Sequence, residues 1–275
     1  MIEAVTGLIC PKCEAPLSTS DKQWRCQENH TYDQAKQGYL NLLLVNHKKS
    51  KNPGDDADMV RARTEFLDAG HYQPISDALN SMVSPGRILD IGCGEGYYTE
   101  RLRESLGVSA DITGLDISRE AVRAACRRSR LIRWLVASGA RPPVEKHSIN
   151  TVVSLFTPLM PQGLDHALVT DGDIITAHTG PYHLYELRQQ IYDDVRLDAF
   201  SPVESMNQAG FSCVEEVPVA FRFQLNDSTM INNLLLMTPH RWKVTPDKAS
   251  ALQQLHHLDV RADVILQRFR RTDSI

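Results

Sequence analysis

Long apolar runs are missing from this chain. The two densest stretches, Leu40 to Val45 and Leu234 to Met237, are far too short to span a bilayer, which takes about 20 residues in a helix. The amino terminus shows no basic region followed by an apolar stretch, so no signal peptide is expected. Cysteine is scarce. Six in 275 residues are too few for a disulfide framework and point to a reducing compartment, the cytoplasm. An excess of positive charge is absent too. Lys and Arg number 30 against 34 Asp and Glu, a net charge of −4. That excludes attraction of the whole molecule to nucleic acid and leaves only local basic patches. No internal repeat or low-complexity tract occurs. What the chain does have is apolar residues, 42% of the total. They suffice for one large α/β domain with an appendage, or for two domains.

Half of the cysteines fall in one short segment, spaced Cys10-x2-Cys13-x12-Cys26-x3-His30. Each end can form a tight knuckle, and the gap, rich in Ser, Thr and Asp before Trp24, suits a hairpin. Three thiolates and an imidazole fit Zn2+, and four protein ligands indicate a closed, structural site. The alternative, ordinary buried cysteines, lacks aliphatic neighbours to bury them. So short a segment would draw its folding energy from the metal.

After His30, "GYLNLLLV" reads as a short strand or docking segment, and "NHKKSKNPGDD" as a linker whose Lys48, Lys49 and Lys51 form a small basic cluster. The expected partition is a zinc-binding module over residues 1–36, a linker over 37–58 and a main domain over 59–275. Helices are expected in "DADMVRARTEFLDAG" and "PISDALNSMVSPG". From Ile88 onward strands and helices alternate, which predicts an α/β fold with a doubly wound, Rossmann-like parallel sheet. "CVEEVPVAFRF" and "DVRADVILQRF" should close one edge of it as antiparallel strands.

The first strand runs into Asp90-Ile91-Gly92-Cys93-Gly94-Glu95-Gly96, where open α/β sheets bind nucleotide-like ligands. The glycine spacing is wrong for cradling a pyrophosphate and carries no P-loop lysine. Asp90 would repel a phosphate and attract a cation. S-adenosylmethionine, with a sulfonium, an ammonium and no phosphate, fits. Asp116, ending the second strand in "GLDIS", is placed to take the ribose hydroxyls. Cys93 reads as a small packed residue rather than a nucleophile. After the fourth strand, Phe156, Thr157 and Pro158 are candidates for contacts to the methyl acceptor, or simply a strand-to-loop transition. "SREAVRAACRRSRLIRW" sets Arg119, Arg123 and Arg127 on one helix face, a candidate phosphate contact or a solvated face. "RFRR" near the carboxyl end is a second, weaker patch.

With both halves read, the chain resembles the RlmA-type methyltransferases, which methylate N1 of a guanosine in large-subunit (23S) ribosomal RNA. The resemblance covers nearly the whole chain. It rests on Cys10/Cys13/Cys26/His30, "GYLNLL", "KNPGDDADM", "EFLDAGHYQPI", "LDIGCGEGYYT", "GLDIS", "VAS", "GPYHLYEL" and "MTPHRW". The chain departs from the family around "PLMPQGLDHALVTDGD". The resemblance implies a class I methyltransferase sheet, a zinc module that helps recognise an RNA hairpin, and a homodimer. It places Tyr72 and His183 beside the cofactor, with Tyr97 and Tyr98 of "GEGYYT" joining Asp90, Gly92, Gly94, Glu95, Gly96 and Asp116. From the residues alone, Tyr72 could equally be a core aromatic and His183 a helix-start residue.

Guanine N1 carries a proton at neutral pH, so the enzyme must position it and give the proton somewhere to go. The sequence does not identify the base; His183, Glu95 and Thr157 are the candidates. N1 lies on the pairing edge, so the acceptor must be unpaired or flipped out. Two other functions stay in view: a small-molecule methyltransferase with a structural zinc knuckle, and a non-enzymatic zinc-finger RNA-binding factor.

Overall fold

The computed structural model describes residues 3–20, 22–44 and 53–272. The cluster Lys48, Lys49 and Lys51 lies outside them. The amino-terminal segment is an antiparallel sheet of β1 (Glu3–Ile9), β2 (Pro16–Ser20), β3 (Gln23–Arg25) and β4 (Thr31–Asp33), paired in chain order. The β2–β3 hairpin fills the gap between Cys13 and Cys26, as its turn-rich composition predicts.

The remainder follows the alternation read from the sequence. It runs β5 (Leu40–Asn41), α1 (Ala57–Asp68), α2 (Gln73–Met82), β6 (Arg87–Ile91), α3 (Tyr97–Leu106), β7 (Asp111–Asp116), α4 (Arg119–Arg128), β8 (Arg133–Val136), β9 (Ile149–Leu155) and β10 (Leu168–Thr179). Then come α5 (Tyr185–Ile191), α6 (Val203–Gln208), β11 (Phe211–Leu225), α7 (Ser228–Leu236), α8 (Pro246–Gln253) and β12 (Leu258–Arg271). The sheet order is β11-β12-β10-β9-β6-β7-β8-β5. Neighbours from β10 to β5 pair in parallel, and β12 is antiparallel to both β10 and β11. Consecutive strands diverge from β6, toward β7 on one side and β9 on the other. That switch point opens a crevice at the carboxyl ends of the strands.

Part of the expected linker belongs to the sheet. Leu40 and Asn41 pair in parallel with Leu135 and Val136 of β8. Tyr39, Leu40, Leu42 and Leu43 are buried, because an apolar segment leaving the metal module finds an open sheet edge to cover. Nearer the first helix, Asp56 caps α1 by accepting the Met59 amide at 2.9 Å, and Asp55 and Gly54 pack on Ser118 at the start of α4.

The two faces of the sheet are closed differently. On one face lie Phe66 of α1, Ile75 and Leu79 of α2, Val122 of α4 and Leu234 of α7, packed against Ile88, Ile112, Val153 and Ile175. No helix connects β8 to β9, and only a single 3-10 turn (Pro161–Gly163) lies between β9 and β10. The metal module covers that ground instead. Its Leu8, Leu17 and Trp24 share a core with Leu89, Ile91, Leu115, Leu135 and Val152. The Ile9 amide donates to the Pro143 carbonyl and the Glu145 amide to the Gly7 carbonyl, both at 3.1 Å. Leu8 pairs antiparallel with Val144.

The arginines of "RFRR" are structural. Arg268 pairs with Asp173 and Glu215, Arg270 with Asp173, and Arg271 with Asp165, so they clamp the antiparallel edge to β10.

Candidate active site and metal centre

Cys10, Cys13, Cys26 and His30 converge with all four ligand atoms within 4.8 Å of one another. Two matching knuckles bring them there. The Glu14 amide closes on the Cys10 carbonyl and the Asn29 amide on the Cys26 carbonyl. Glu14 and Asn29 both take the left-handed conformation at φ 59°, which frees the chain to turn back toward the sulfurs. Cys13 Sγ lies 3.6 Å from Cys26 Sγ, and His30 Nδ1 lies 3.5 and 3.4 Å from the sulfurs of Cys10 and Cys26. A tetrahedral zinc ion bound at about 2.3 Å to sulfur sets its sulfur ligands roughly 3.8 Å apart. The donor set and its spacing therefore fit zinc.

The electrostatics of the cluster suit a cation. Burial pushes Cys10 up, but hydrogen bonds from Tyr32 and from the Lys12 and Cys13 amides outweigh it and hold the thiol at about 6. The Ala15 amide pulls Cys13 down, yet burial and the neighbouring sulfurs drive it up to about 11. One thiolate is tolerated and resists the next. A dication offsets that repulsion and favours the thiolate form that binds it.

The crevice is built around the glycine turn. The Gly92 and Cys93 amides both donate to the Leu115 carbonyl, which ties the turn to the end of β7. Gly92 has φ +75°, and a Cβ there would sit 2.3 Å from Thr157 Oγ1. Only glycine lets the two loops meet. Asp116 receives the Gly94 amide on Oδ2 at 3.0 Å and the Ser118 amide on Oδ1 at 2.7 Å. A carboxylate has about four acceptor positions, so two stay open for the vicinal hydroxyls of a ribose. Asp90 is buried and accepts from Thr99 Oγ1 at 2.6 Å. Burial pushes its carboxyl up to about 7 against the pull of the Thr99 hydroxyl, with the negative charge of Asp116 adding to the rise. A cation beside it would restore the charged form. The Tyr98 hydroxyl is buried without a hydrogen-bond partner among the described residues, which again suits an incoming polar ligand.

Aromatic rings gather beside the glycine turn. Tyr72 Oη lies 3.3 Å from His183 Nε2, and the Asp263 amide donates to His183 Nδ1 at 3.2 Å. With Nδ1 accepting, the neutral ring carries its proton on Nε2 and donates to Tyr72. Phe156 stacks on His183 with centroids 6.3 Å apart, and Tyr98 follows at 6.3 Å from Phe156. Phe156 is 40% exposed and so faces the opening.

The structure brings together Tyr72, Asp90, Gly92, Gly94, Tyr98, Asp116, Thr157 and His183. It separates three others. Glu95 turns away into an ion pair with Arg128, whose guanidinium also holds Asp68 and Glu100; it faces a cleft of about 570 Å³ between α1, α3 and α4. Tyr97 points the same way, its ring under Arg101 and Arg128 at 5.6 and 5.7 Å. Gly96 serves packing, since a Cβ there would meet Trp134 at 2.8 Å. The arginine face of α4 is largely engaged too. Arg119 donates to Tyr39 Oη and Arg123 to Glu120, while Arg127 is exposed.

None of the three proton-acceptor candidates is a free base. Both nitrogens of His183 are occupied, and burial, then the charges of His240 and Arg188, lower it to about 3. Glu95 is bound to arginine, and a threonine hydroxyl is not a base near neutrality. Cys93 is buried and pushed well up by that burial, as expected of a packed residue.

One side chain beside the glycine turn escaped the sequence reading. Arg63 of α1 lies over the glycine turn, 3.7 Å from where a Cβ on Gly94 would be. It pairs with Asp55 and donates to the Met237 carbonyl at 3.1 Å. The only signal was its place in the helix that follows "NPGDD".

Two family matches divide the chain. Residues 8–51 match "RlmA, N-terminal", a zinc ribbon, and residues 88–169 match "Methyltransferase domain". A Bacillus subtilis (strain 168) relative, "Putative 23S rRNA (guanine-N(1)-)-methyltransferase YxjB", is 30% identical over 93% of this chain and 94% of its own length. The "23S rRNA (guanine(748)-N(1))-methyltransferase" of Streptomyces fradiae is 30% identical over 89% of each chain. Among solved structures, a chain from the complex between the Haloferax volcanii Trm112 methyltransferase activator and a methyltransferase superposes with a TM-score of 0.52. It is 17% identical and covers 80% of this chain and 99% of its own, a likeness of fold alone.

Proposed function

The chain belongs to the RlmA-type family of 23S ribosomal RNA (guanine-N1)-methyltransferases, and from that premise we propose that it methylates N1 of a guanosine in 23S ribosomal RNA. S-adenosylmethionine supplies an electrophilic methyl group on a sulfonium. Asp116 would take the ribose, Asp90 would favour the cationic end, and Arg63 is the guanidinium at hand for the donor's carboxylate. Phe156, stacked on His183, would carry the face of the acceptor purine. Tyr72 and His183 act as a rigid hydrogen-bonded wall, because neither His183 nitrogen is free to take the N1 proton. Rate acceleration then comes chiefly from alignment, and the proton leaves to solvent along the open rim.

The finer reading is that the acceptor lies in an RNA hairpin. The ribbon would help hold it through exposed Lys22, Arg25 and Lys36. We place the enzyme in the cytoplasm as a homodimer; no helix among the described residues is long and apolar enough to cross a membrane. The observation that carries the proposal is the coexistence, in one chain, of the zinc ribbon and a phosphate-averse glycine crevice between Asp90 and Asp116. The test is transfer of labelled methyl to an unmodified 23S transcript, followed by mass-spectrometric mapping. Label on guanine N1 is expected. Label confined to small molecules points to the small-molecule enzyme, and failure to bind S-adenosylmethionine points to the non-enzymatic RNA-binding factor.

A further inference from the structure

The motif "MTPHRW" has no part in the chemistry above, yet it stands over the crevice. Its first residue, Met237, takes the Arg63 hydrogen bond beside the glycine turn. Its His240 Nδ1 lies 2.9 Å from Tyr192 Oη and close enough to His183 to influence its charge. Residues Pro239–Lys243 form a 3-10 turn. Arg241 reaches Asp56, the cap of α1, at 3.5 Å, so the turn is fastened to α1 and to the end of α5.

On this fastened turn sits Trp242, 69% exposed, whereas Trp24 and Trp134, the chain's other two tryptophans, are buried. The Arg241 guanidinium lies over the indole, 4.5 Å from its centroid. One ring face is thus held by a cation that is itself tied to Asp56, and Lys243 is exposed alongside. The same construction recurs next to His183, where Arg261 lies 4.9 Å over the ring of Tyr182, a residue 42% exposed. A fixed aromatic face backed by positive charge fits a partner that is flat, aromatic and anionic: a nucleotide. The reaction calls for such a surface. An acceptor base drawn out of its stack leaves its neighbours with bare faces, and a ring at the rim can replace the lost stacking.

We propose that Trp242, backed by Arg241, is a stacking platform at the rim of the crevice for an unpaired RNA base beside the acceptor nucleotide, with Tyr182–Arg261 as its counterpart. The proposal rests on the RNA reading given above.

Trp242 is the only exposed tryptophan, so it reports on itself. Acrylamide quenching of the full-length protein is measured with an oligoadenylate of about eight nucleotides, within the usual single-strand site size, and with a duplex carrying the same number of phosphates. The oligoadenylate is expected to shield the tryptophan and the duplex to leave it open. Trp242→Ala should weaken oligoadenylate binding about tenfold, as loss of one base–aromatic stack does. Trp242→Phe should restore binding to within roughly threefold of wild type, and S-adenosylhomocysteine affinity should not change in either variant. Equal shielding by duplex, or unchanged binding by Trp242→Ala, overturns the platform. Methyl transfer to the 23S transcript is run in parallel. If wild type transfers methyl and Trp242→Ala keeps its KM, the platform alone falls. If wild type binds S-adenosylhomocysteine but transfers nothing to RNA, the RNA reading falls and takes the platform with it.

Discussion

The two faces of the central sheet are closed by unlike means. One is covered by helices whose apolar stripes, such as Ile75 and Leu79 of α2, bury themselves in the ordinary way. The other is covered in part by the four-strand ribbon, which contributes Leu8, Leu17 and Trp24 but owes its shape to four ligand atoms. A helix holds its form through backbone hydrogen bonds and packing; a ribbon this small is expected to depend on its ion as well as on the core it shares with the sheet. The comparison teaches that the metal site lies inside the stability of the methyltransferase sheet.

The sharpest way to break that view is to remove the ion. Cys26→Ser, or chelation, is expected to cost more than about 5 kcal/mol, since structural zinc contributes roughly 10–16 kcal/mol in isolated fingers. The melting temperature of the entire chain should fall in a single calorimetric transition. A sheet that melts at its original temperature after the ribbon has unfolded would show two independent units. Next in size is a cavity on each face. Leu17→Ala beneath the ribbon and Leu79→Ala beneath the helices should each cost about 2–5 kcal/mol in denaturant titrations of the zinc-loaded protein. After chelation the Leu17→Ala effect should vanish and the Leu79→Ala effect persist. Equal losses in both states would contradict the division of faces.

Smaller effects test the crevice that both faces support. Asp116→Asn loses the charge and keeps an acceptor for only one of the Gly94 and Ser118 amides, which now bind separate oxygens. S-adenosylhomocysteine should bind it about 30-fold more weakly, a loss of about 2 kcal/mol in the range of charge-assisted hydrogen bonds, measured by calorimetry. The mildest effect is on pH. The Asp90 carboxyl is raised by burial to about 7, above its unfolded value, so the folded protein holds a proton there that a cationic ligand must displace. Affinity for S-adenosylmethionine should therefore rise as pH climbs through about 7, by at most tenfold per unit, and level off above it. In the unliganded protein the same shift has the opposite effect on stability, which should decline between about pH 4 and 7 as the unfolded chain releases this proton first. Asp90→Asn should flatten both profiles.

Local features were legible in the sequence, and long-range ones were not. The spacing of Cys10, Cys13, Cys26 and His30 encodes its own geometry, because each knuckle closes within a few residues. Asp90, the glycine turn and Asp116 were legible because one βαβ unit fixes their separation, and the strands ran where alternation put them. The direction of Glu95 was hidden, since it depends on Arg128, 33 residues onward. Tyr97 and Tyr98 are adjacent on a helix and necessarily diverge, but only packing decides which one faces the crevice. Arg63 gave no sign because its target, Gly94, lies on another element. The short strand read from "GYLNLLLV" is there at Leu40 and Asn41, but its place in the sheet could not be read, because a two-residue strand is defined by its partner in β8. Helix α7 went unread because an apolar run as short as "LLLM" suits a strand or a helix equally.

The ribbon's seat on the bare side of the sheet also ties the protein to its supply of a trace element. In a zinc-starved cell the fraction of chains that mature would shrink, because what goes unbuilt is a wall of the catalytic body. Modification of new ribosomes would then track the nutritional history of the cell.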